Sequence, residues 1–381
     1  MKNKKRYILL TTISAIIFTT IFTYFSIFKP YNGYSVENVN KTNKITKSIS
    51  MNLEQTAGAG DYKTVTQSRW PTSGYKFNSE LSKCENGSTL NWDDENKTII
   101  FSGNVTDKCY AYFDAKSIPD VCSDGITLAN CIKNYGNEGS NISNIYIHNS
   151  DLTNGAGDNS YRFAGANPTN YVCFGSTVSP CPEDNLYRII GVIDDKIKLV
   201  KNIPKYNNSY IVDCWSSSYS STNIWSSGSL YSTLNTSFVS YLGDWSNKIT
   251  TTAWTIGGNF SSKLSLNDAA TLYQNEIVTP FDSSTVTSKV ALMYGSDYLF
   301  TKINNSTWIK TVGGEWLLTP VYNNAGELRY ALSGANGSVY AIAYNDTVNC
   351  KQTLARPTFF LNSEVTYKSG AGTLSDVIYI N

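Results

Sequence analysis

The chain is 381 residues long, 41% apolar and only 16% charged, with 27 tyrosines and a formal charge of +1. That length allows two or three domains, and the apolar share suffices for a core beneath an uncharged polar surface. A charge so near zero excludes a strongly basic nucleic-acid or polyanion binder, and a lone histidine, His148, leaves proton transfer poorly supplied.

Lys2, Lys4, Lys5 and Arg6 are followed by an uncharged run, Tyr7–Phe28. At roughly 1.5 Å per residue this run spans roughly 33 Å as a helix, enough for a bilayer core of about 30 Å. The leading cations keep that end in the cytoplasm, so residues 1–28 are expected to be a basic tail and single-pass membrane anchor. Everything after Phe28 is then extracellular. A cleaved signal peptide is the rival reading, but the run is long for one and no small-residue cleavage site follows it. Residues 29–47, rich in Asn, Lys and Tyr, read as a stalk.

Residues 48–114 carry short-strand signals. Ile49, Met51 and Leu53 alternate with polar residues, Gly58-Ala59-Gly60-Asp61 turns the chain, and Tyr62, Thr64 and Thr66 alternate again. Thr89–Trp92 and Lys97–Phe101 flank Asp93-Asp94-Glu95-Asn96 as a hairpin, and a further strand runs from Val105 to Phe113. The expected product is a small β-sandwich, marginal on its own core. A Cys84–Cys109 bridge would add roughly 3 kcal/mol in the loop-entropy description.

Residues 115–160 read as a connector. Cys122 and Cys131 bracket a short helical turn, and one strand is predicted at Ile145–Ile147. His148, at the end of that strand, reads as a surface residue, since no second histidine and no nearby nucleophile accompany it.

The C-terminal domain is expected over residues 161–381. Cys173 and Cys181 bracket a Ser/Pro turn, a plausible local bridge. The strongest hairpin follows, Leu186–Ile193 and Lys196–Val200 across Asp194-Asp195. Its first strand is apolar nearly throughout and should be central, whereas the second alternates and should show one face to water. Leu230, Leu234, Phe238 and Leu242 mark an amphipathic helix over 229–242, and Asn267 caps a second at Asp268–Ile277. Short strands are predicted at Lys289–Tyr294, Trp316–Thr319, Glu327–Leu332, Ser338–Ala343 and Arg356–Leu361. Two helices packed on many short strands give an α+β fold. By elimination Cys214 and Cys350 form a long-range pair, so all eight cysteines are expected in disulfides, as suits an exported chain.

Four segments recur in a recognisable order: Leu186-Tyr187-Arg188-Ile189-Ile190-Gly191, Lys289–Tyr298, Glu315–Pro320 and Arg356–Leu361. Together they resemble a family of surface-protein domains from gut Gram-positive bacteria. The likeness covers about residues 161–366, and the family is similar to the C-type-lectin-like fold shared with formylglycine-generating enzymes. Leu81–Gly87 with Trp92-Asp93-Asp94 resembles a module often found on its N-terminal side. The resemblance implies a binding scaffold. Two departures bear on activity: Cys350 has no companion cysteine close by in sequence, and the Glu-Pro-Asn or Gln-Pro-Asp tripeptide of calcium-dependent lectins is absent.

Chemistry-bearing motifs are thin. No P-loop, G-x-S-x-G, H-E-x-x-H or EF-hand loop occurs. Asp213, Asp297, Glu315 and Glu327 could in principle supply a glycosidase pair, but acids in such number are expected by chance, and Asp297 reads better as a helix-start cap. Trp215, Trp225, Trp245, Trp254 and Trp308 read as core and loop-packing residues rather than a sugar-stacking surface. No cofactor and no metal are expected.

The function that follows is a membrane-anchored extracellular protein with a non-catalytic ligand-binding or adhesion role. The alternative is an extracellular enzyme, either a carbohydrate hydrolase or a formylglycine-type oxidase. The ligand, a glycan or a surface protein, is expected at a rim formed by the turns after Pro320 and after Tyr344. There Tyr322, Asn323, Asn324 and Tyr344 offer amide and phenol groups.

Overall fold

Strands of four to ten residues bury too little surface to stand alone, so their pairing decides what the chain builds. In a computed structural model of the chain, the described residues are 48–104, 106–215, 225–311, 313–323, 328–335, 337–343 and 352–381. The expected anchor and stalk lie outside them, as do Asn324, Tyr344 and Cys350. Among the described residues no helix is long and apolar enough to cross a membrane. The chain is mixed α+β and divides into two compact units. One comprises the residues up to Leu53 with Tyr62–Thr72 and Phe77–Phe113; the other comprises Glu54–Asp61, Ser73–Lys76 and Asp114–Asn381.

The first unit is built on β1 (Ser48–Glu54), β2 (Tyr62–Val65), β3 (Tyr75–Cys84), β4 (Thr89–Asp93), β5 (Thr98–Ser102) and β6 (Lys108–Ala115). The sheet order is β2-β1-β6-β3, with β4 and β5 as a separate hairpin. The hairpin follows the sequence reading; β3 and the parallel pairing of β1 with β6 do not. β3 escapes notice because Tyr75–Cys84 has little burial contrast along its length. Trp92 meets Phe113 edge to face at 4.9 Å and Trp70 at 5.9 Å, so aromatic rings supply much of this small core.

In the second unit the stretch expected as a connector is structural. Helix α1 (Leu128–Asn137) buries Leu128, Cys131, Ile132 and Tyr135, starting at Thr127, whose side chain accepts from the Asn130 N–H. Gly136 lets it approach closely: a Cβ there would lie 2.7 Å from the Tyr161 ring. Strand β7 (Ile145–Ile147) falls where predicted and pairs with β8 (Tyr161–Phe163). β9 (Tyr171–Cys173), β10 (Leu186–Ile193) and β11 (Lys196–Lys201) complete the main body of an antiparallel sheet, whose far edge is Thr358–Phe360.

The β10–β11 hairpin turns through Asp194 and Asp195, both at left-handed φ (49° and 59°), as a two-residue hairpin turn requires. β10 is central, as its composition implies. Gly191 is required by β8, since a Cβ there would lie 2.2 Å from the Tyr161 carbonyl oxygen. β11 departs from expectation, because Ile197 through Lys201 are all buried and neither face meets water. Alternation misleads here because its two buried lysines have internal partners: Lys198 donates to Asp297 and Lys201 to the Asp184 carbonyl.

A second sheet runs through β12 (Glu315–Tyr322), β13 (Leu328–Ala335) and β14 (Ser338–Ala343). The amphipathic segment forms helical turns at Ser229–Ser232, Thr233–Phe238 and Val239–Tyr241, the middle one with π geometry, and it buries Leu230, Leu234, Phe238 and Leu242 as the spacing requires. The next helix, α2 (Ala269–Tyr273), is capped by Asp268 rather than Asn267 and passes into a π segment at Gln274–Val278. Lys289–Tyr294 is no strand. Ala291 and Thr358 exchange backbone hydrogen bonds at 2.9 Å as an isolated bridge, and Val290–Met293 are buried.

Cys84–Cys109, Cys122–Cys131 and Cys173–Cys181 are joined as expected. Cys214 is disulfide-bonded as well. Cys122–Cys131 ties the first turn of α1 to the preceding loop across a sequence separation of 9. Replacing both cysteines by Ala is expected to remove about 2–3 kcal/mol of unfolding free energy through the freed unfolded chain. Urea titration of the full chain measures this, and an unchanged midpoint would count against it.

Candidate functional site: a buried charge cluster and the cavity beside it

Of the expected rim residues, Tyr322 and Asn323 are described, and Asn324 and Tyr344 lie outside the described residues. Tyr322 is the last residue of β12 and is fully buried, its ring stacked on Phe281 at 4.4 Å, with Phe281 in turn stacked on Phe260 at 5.4 Å. Apolar packing against those rings overrides the turn-edge position that made Tyr322 look accessible. Asn323 is half-buried.

The acids considered for hydrolysis are tied up instead. Asp213 accepts from the hydroxyls of Ser229 and Thr233. Glu315 and Arg356 form a buried two-point pair, with Arg356 Nε donating to Oε2 at 2.8 Å and Nη2 to Oε1. Glu327 lies outside the described residues. Trp215, Trp225, Trp254 and Trp308 are buried, and Trp245 is partly so, as read from the sequence.

Asp297 has two jobs. It sits in the first turn of α3 (Gly295–Phe300), where its carboxylate accepts the Tyr294 N–H at 3.2 Å, as the cap reading expects. It also receives Arg162 Nη1 from β8 at 2.8 Å and Lys198 Nζ from β11. All three side chains are within 3% of full burial. Arg162 spreads its remaining donors to Ser160 Oγ at 2.8 Å and Asp158 Oδ2 at 2.9 Å. Lys198 lies over the rings of Tyr294, Phe360 and Trp254 at 4.7, 5.2 and 5.4 Å. Burial opposes the charge on Asp297, but the two cations outweigh it and hold the carboxyl below its ordinary range. For Lys198 desolvation wins and its ammonium is depressed.

Glu276, from the π segment after α2, shares this interior. It accepts the Ser296 N–H at 2.7 Å and the Thr319 hydroxyl. Burial dominates those hydrogen bonds and pushes its carboxyl up to about 7. One-turn π segments are frequent at functional sites.

The outer wall of this cluster faces a cavity of about 680 Å³. Its walls come from β7 and the loop after it, the turn into α2, the end of α3, and the short hairpin at Lys302–Thr307. Phe300 and Leu299 form an apolar part of the lining. Phe300 has the Arg162 guanidinium 5.1 Å from its ring on one side and the His148 ring edge-on at 4.6 Å. The expectation for His148 is therefore corrected: it is buried, because the β7–β8 hairpin folds its own loop around the ring. The His148 backbone N–H donates to the Ser160 carbonyl, the Asn159 N–H donates to the His148 carbonyl, and Nδ1 accepts the Ala156 N–H at 3.0 Å. Desolvation, reinforced by the Arg162 charge, drops the imidazole to about 3, so it is neutral at any ordinary pH. Asn154, Asn267 and Asn305 supply amides to the lining; Lys302 and Asp268 supply one charge of each sign.

Sequence reasoning missed Arg162, Lys198, Glu276 and His148. One signal was present for Lys198, a lysine inside an otherwise buried-looking hairpin. For the others nothing local marks the role. Metal chemistry has little to work with among the described residues, where the one cluster of potential ligands joins Asp107 with Cys84 and Cys109, whose sulfurs are bonded to each other.

Replacing Asp297 by Asn leaves Lys198 buried without a counter-charge and should cost about 3–5 kcal/mol, part of which an added Lys198→Met recovers. A double-mutant cycle by urea unfolding reads this directly, and simple additivity would contradict it. Glu276 makes stability depend on pH. Its folded value of about 7 lies above the ordinary 4.5, so the folded state holds the proton more tightly. Stability is therefore lost as pH rises from the lower value to the higher, by up to about 1.4 kcal/mol per pH unit. Thermal midpoints of wild type and Glu276→Gln should diverge between pH 5 and 8, the wild type falling; parallel curves would refute the assignment.

Set against known proteins, the chain matches no family model, no curated protein and no solved structure.

Proposed function

We propose that this chain is a surface protein, tethered through Tyr7–Phe28 with its N-terminus cytoplasmic, whose C-terminal unit binds a glycan or a protein outside the cell without transforming it. The observation that carries the reading is the state of the ionisable groups around the cavity. Asp297 and Asp158 are engaged by buried cations, and His148 is held neutral and used as an acceptor by its own loop. A hydrolase needs a carboxylate or imidazole able to exchange protons with a bound substrate, and these groups are committed to one another. Disulfides in both units of the chain suit an oxidising exterior. The likeness to surface-protein domains with a C-type-lectin-like fold, and to a small β-sandwich module before it, supports the same reading as an analogy of fold.

An extracellular hydrolase or oxidase is the competing reading. Glu276, with a carboxyl that titrates near neutrality, favours it.

Protease added to intact cells should release the C-terminal unit and leave a short membrane-bound fragment, whereas a fully protected C-terminus would end the tethered reading. Ligands retained by the full chain should be recovered chemically unchanged after prolonged incubation. Turnover that disappears in Glu276→Gln would establish the enzyme instead.

A further inference from the structure

We infer that the cavity beside His148 is a subsite for a neutral glycan, oriented by the Nε2–H of His148; this rests on the binding reading above. The tautomer follows from hydrogen bonding. Nδ1 accepts the Ala156 N–H at 3.0 Å, so that nitrogen carries no proton. Burial and Arg162 keep the ring neutral. A neutral imidazole with a bare Nδ1 carries its proton on Nε2, which makes that atom a donor.

Among the described residues nothing accepts from it, although His148 is 97% buried, at a relative exposure of 3%, and lines the cavity. The buried polar atoms left without a partner do not include Nε2, so this donor stays open to the cavity, where a ligand oxygen can take the place of water. The charged groups around the ring are Arg162, Asp158 and Asp297, and these are paired with one another.

The rest of the lining defines the ligand class. Phe300, Leu299 and Ile303 offer apolar surface, while Asn154, Asn267 and Asn305 offer amides that both donate and accept. A pyranose has this same division, with C–H groups on one face and hydroxyls around its edge. Asp268 is occupied as the cap of α2, accepting the Thr271 N–H and hydroxyl, and Lys302 is the lone cation among the described lining residues. No concentration of one charge is available to favour an anionic glycan. A volume of about 680 Å³ lies within the range of roughly 300–1,000 Å³ usual for small-ligand pockets.

The test uses the full chain in a zwitterionic detergent free of sugar, on an array of neutral, sialylated and sulfated glycans. Neutral glycans should be retained preferentially, with affinity unchanged between pH 5 and 8. His148→Asn keeps an acceptor for the Ala156 N–H but removes the donor into the cavity. It should weaken binding about tenfold in a chain that still shows a cooperative thermal transition, whose midpoint the lost ring packing lowers. Asn154 and Asn305 both sit at left-handed φ, 60° and 64°, so Gly is the replacement that removes each amide without straining its turn. Either variant should weaken binding severalfold.

Retention of charged glycans alone, of no glycan, or equal binding by His148→Asn and wild type would overturn the assignment. Capture of a protein ligand unaffected by these variants would also overturn it, while leaving the binding reading in place. Cleavage of a bound glycan would instead defeat the binding reading itself.

Discussion

One carboxylate holds the second unit in register. Asp297 receives Arg162 from β8 and Lys198 from β11 while capping α3, so residues separated by 135 and 99 positions in sequence converge on two oxygens. Burying three charges costs several kcal/mol each in desolvation, and well-packed apolar residues of the same volume can be as stable or more so. The consequence of the trio is therefore positional. With Asp297 in place, the N-terminus of α3 is fixed against the sheet, and Phe300 at its other end is presented to the cavity. Arg162 couples the two regions physically, bonding Asp297 through one nitrogen while its guanidinium lies over the Phe300 ring.

The same arrangement explains why His148 is neutral and enclosed by its own loop. The β7–β8 hairpin that delivers Arg162 also closes the loop around His148, and the Arg162 charge adds to desolvation in suppressing protonation. Its ring and loop therefore present fixed dipoles to the cavity, in keeping with the binding role proposed above. Fixed donors orient neutral ligands without the cost of reorganising solvent around an ion.

Both expected helices of the second unit contain π segments, at Thr233–Phe238 and Gln274–Val278. In the first, the apolar residues are still spaced for burial and the distortion has no evident partner. In the second, it accompanies a buried acid that accepts from Ser296 and Thr319. Glu276 and Asp297 therefore share one interior with opposite fates. The Arg162 and Lys198 charges keep Asp297 ionised, while burial pushes Glu276, without a direct cation among the described residues, toward its neutral form.

What the sequence determined by itself was whatever depends on neighbours in the chain. The β10–β11 hairpin, the burial of Leu230, Leu234, Phe238 and Leu242, the cap at Asp297, the strand Ile145–Ile147 and three local disulfides were all legible, because periodicity, turn chemistry and short loops act over a few residues. Tertiary structure decided the rest. β11 looked half-exposed because a lysine normally means water, and only the distant Asp297 makes Lys198 a core residue. Tyr322 looked like a rim residue until Phe281 stacked on it. His148 looked like a surface residue because a loop that closes through backbone hydrogen bonds leaves no hydrophobic signature. Arg162 and Glu276 had no local mark at all: a charge inside a protein is defined by the partner that compensates it, and that partner is chosen by the fold.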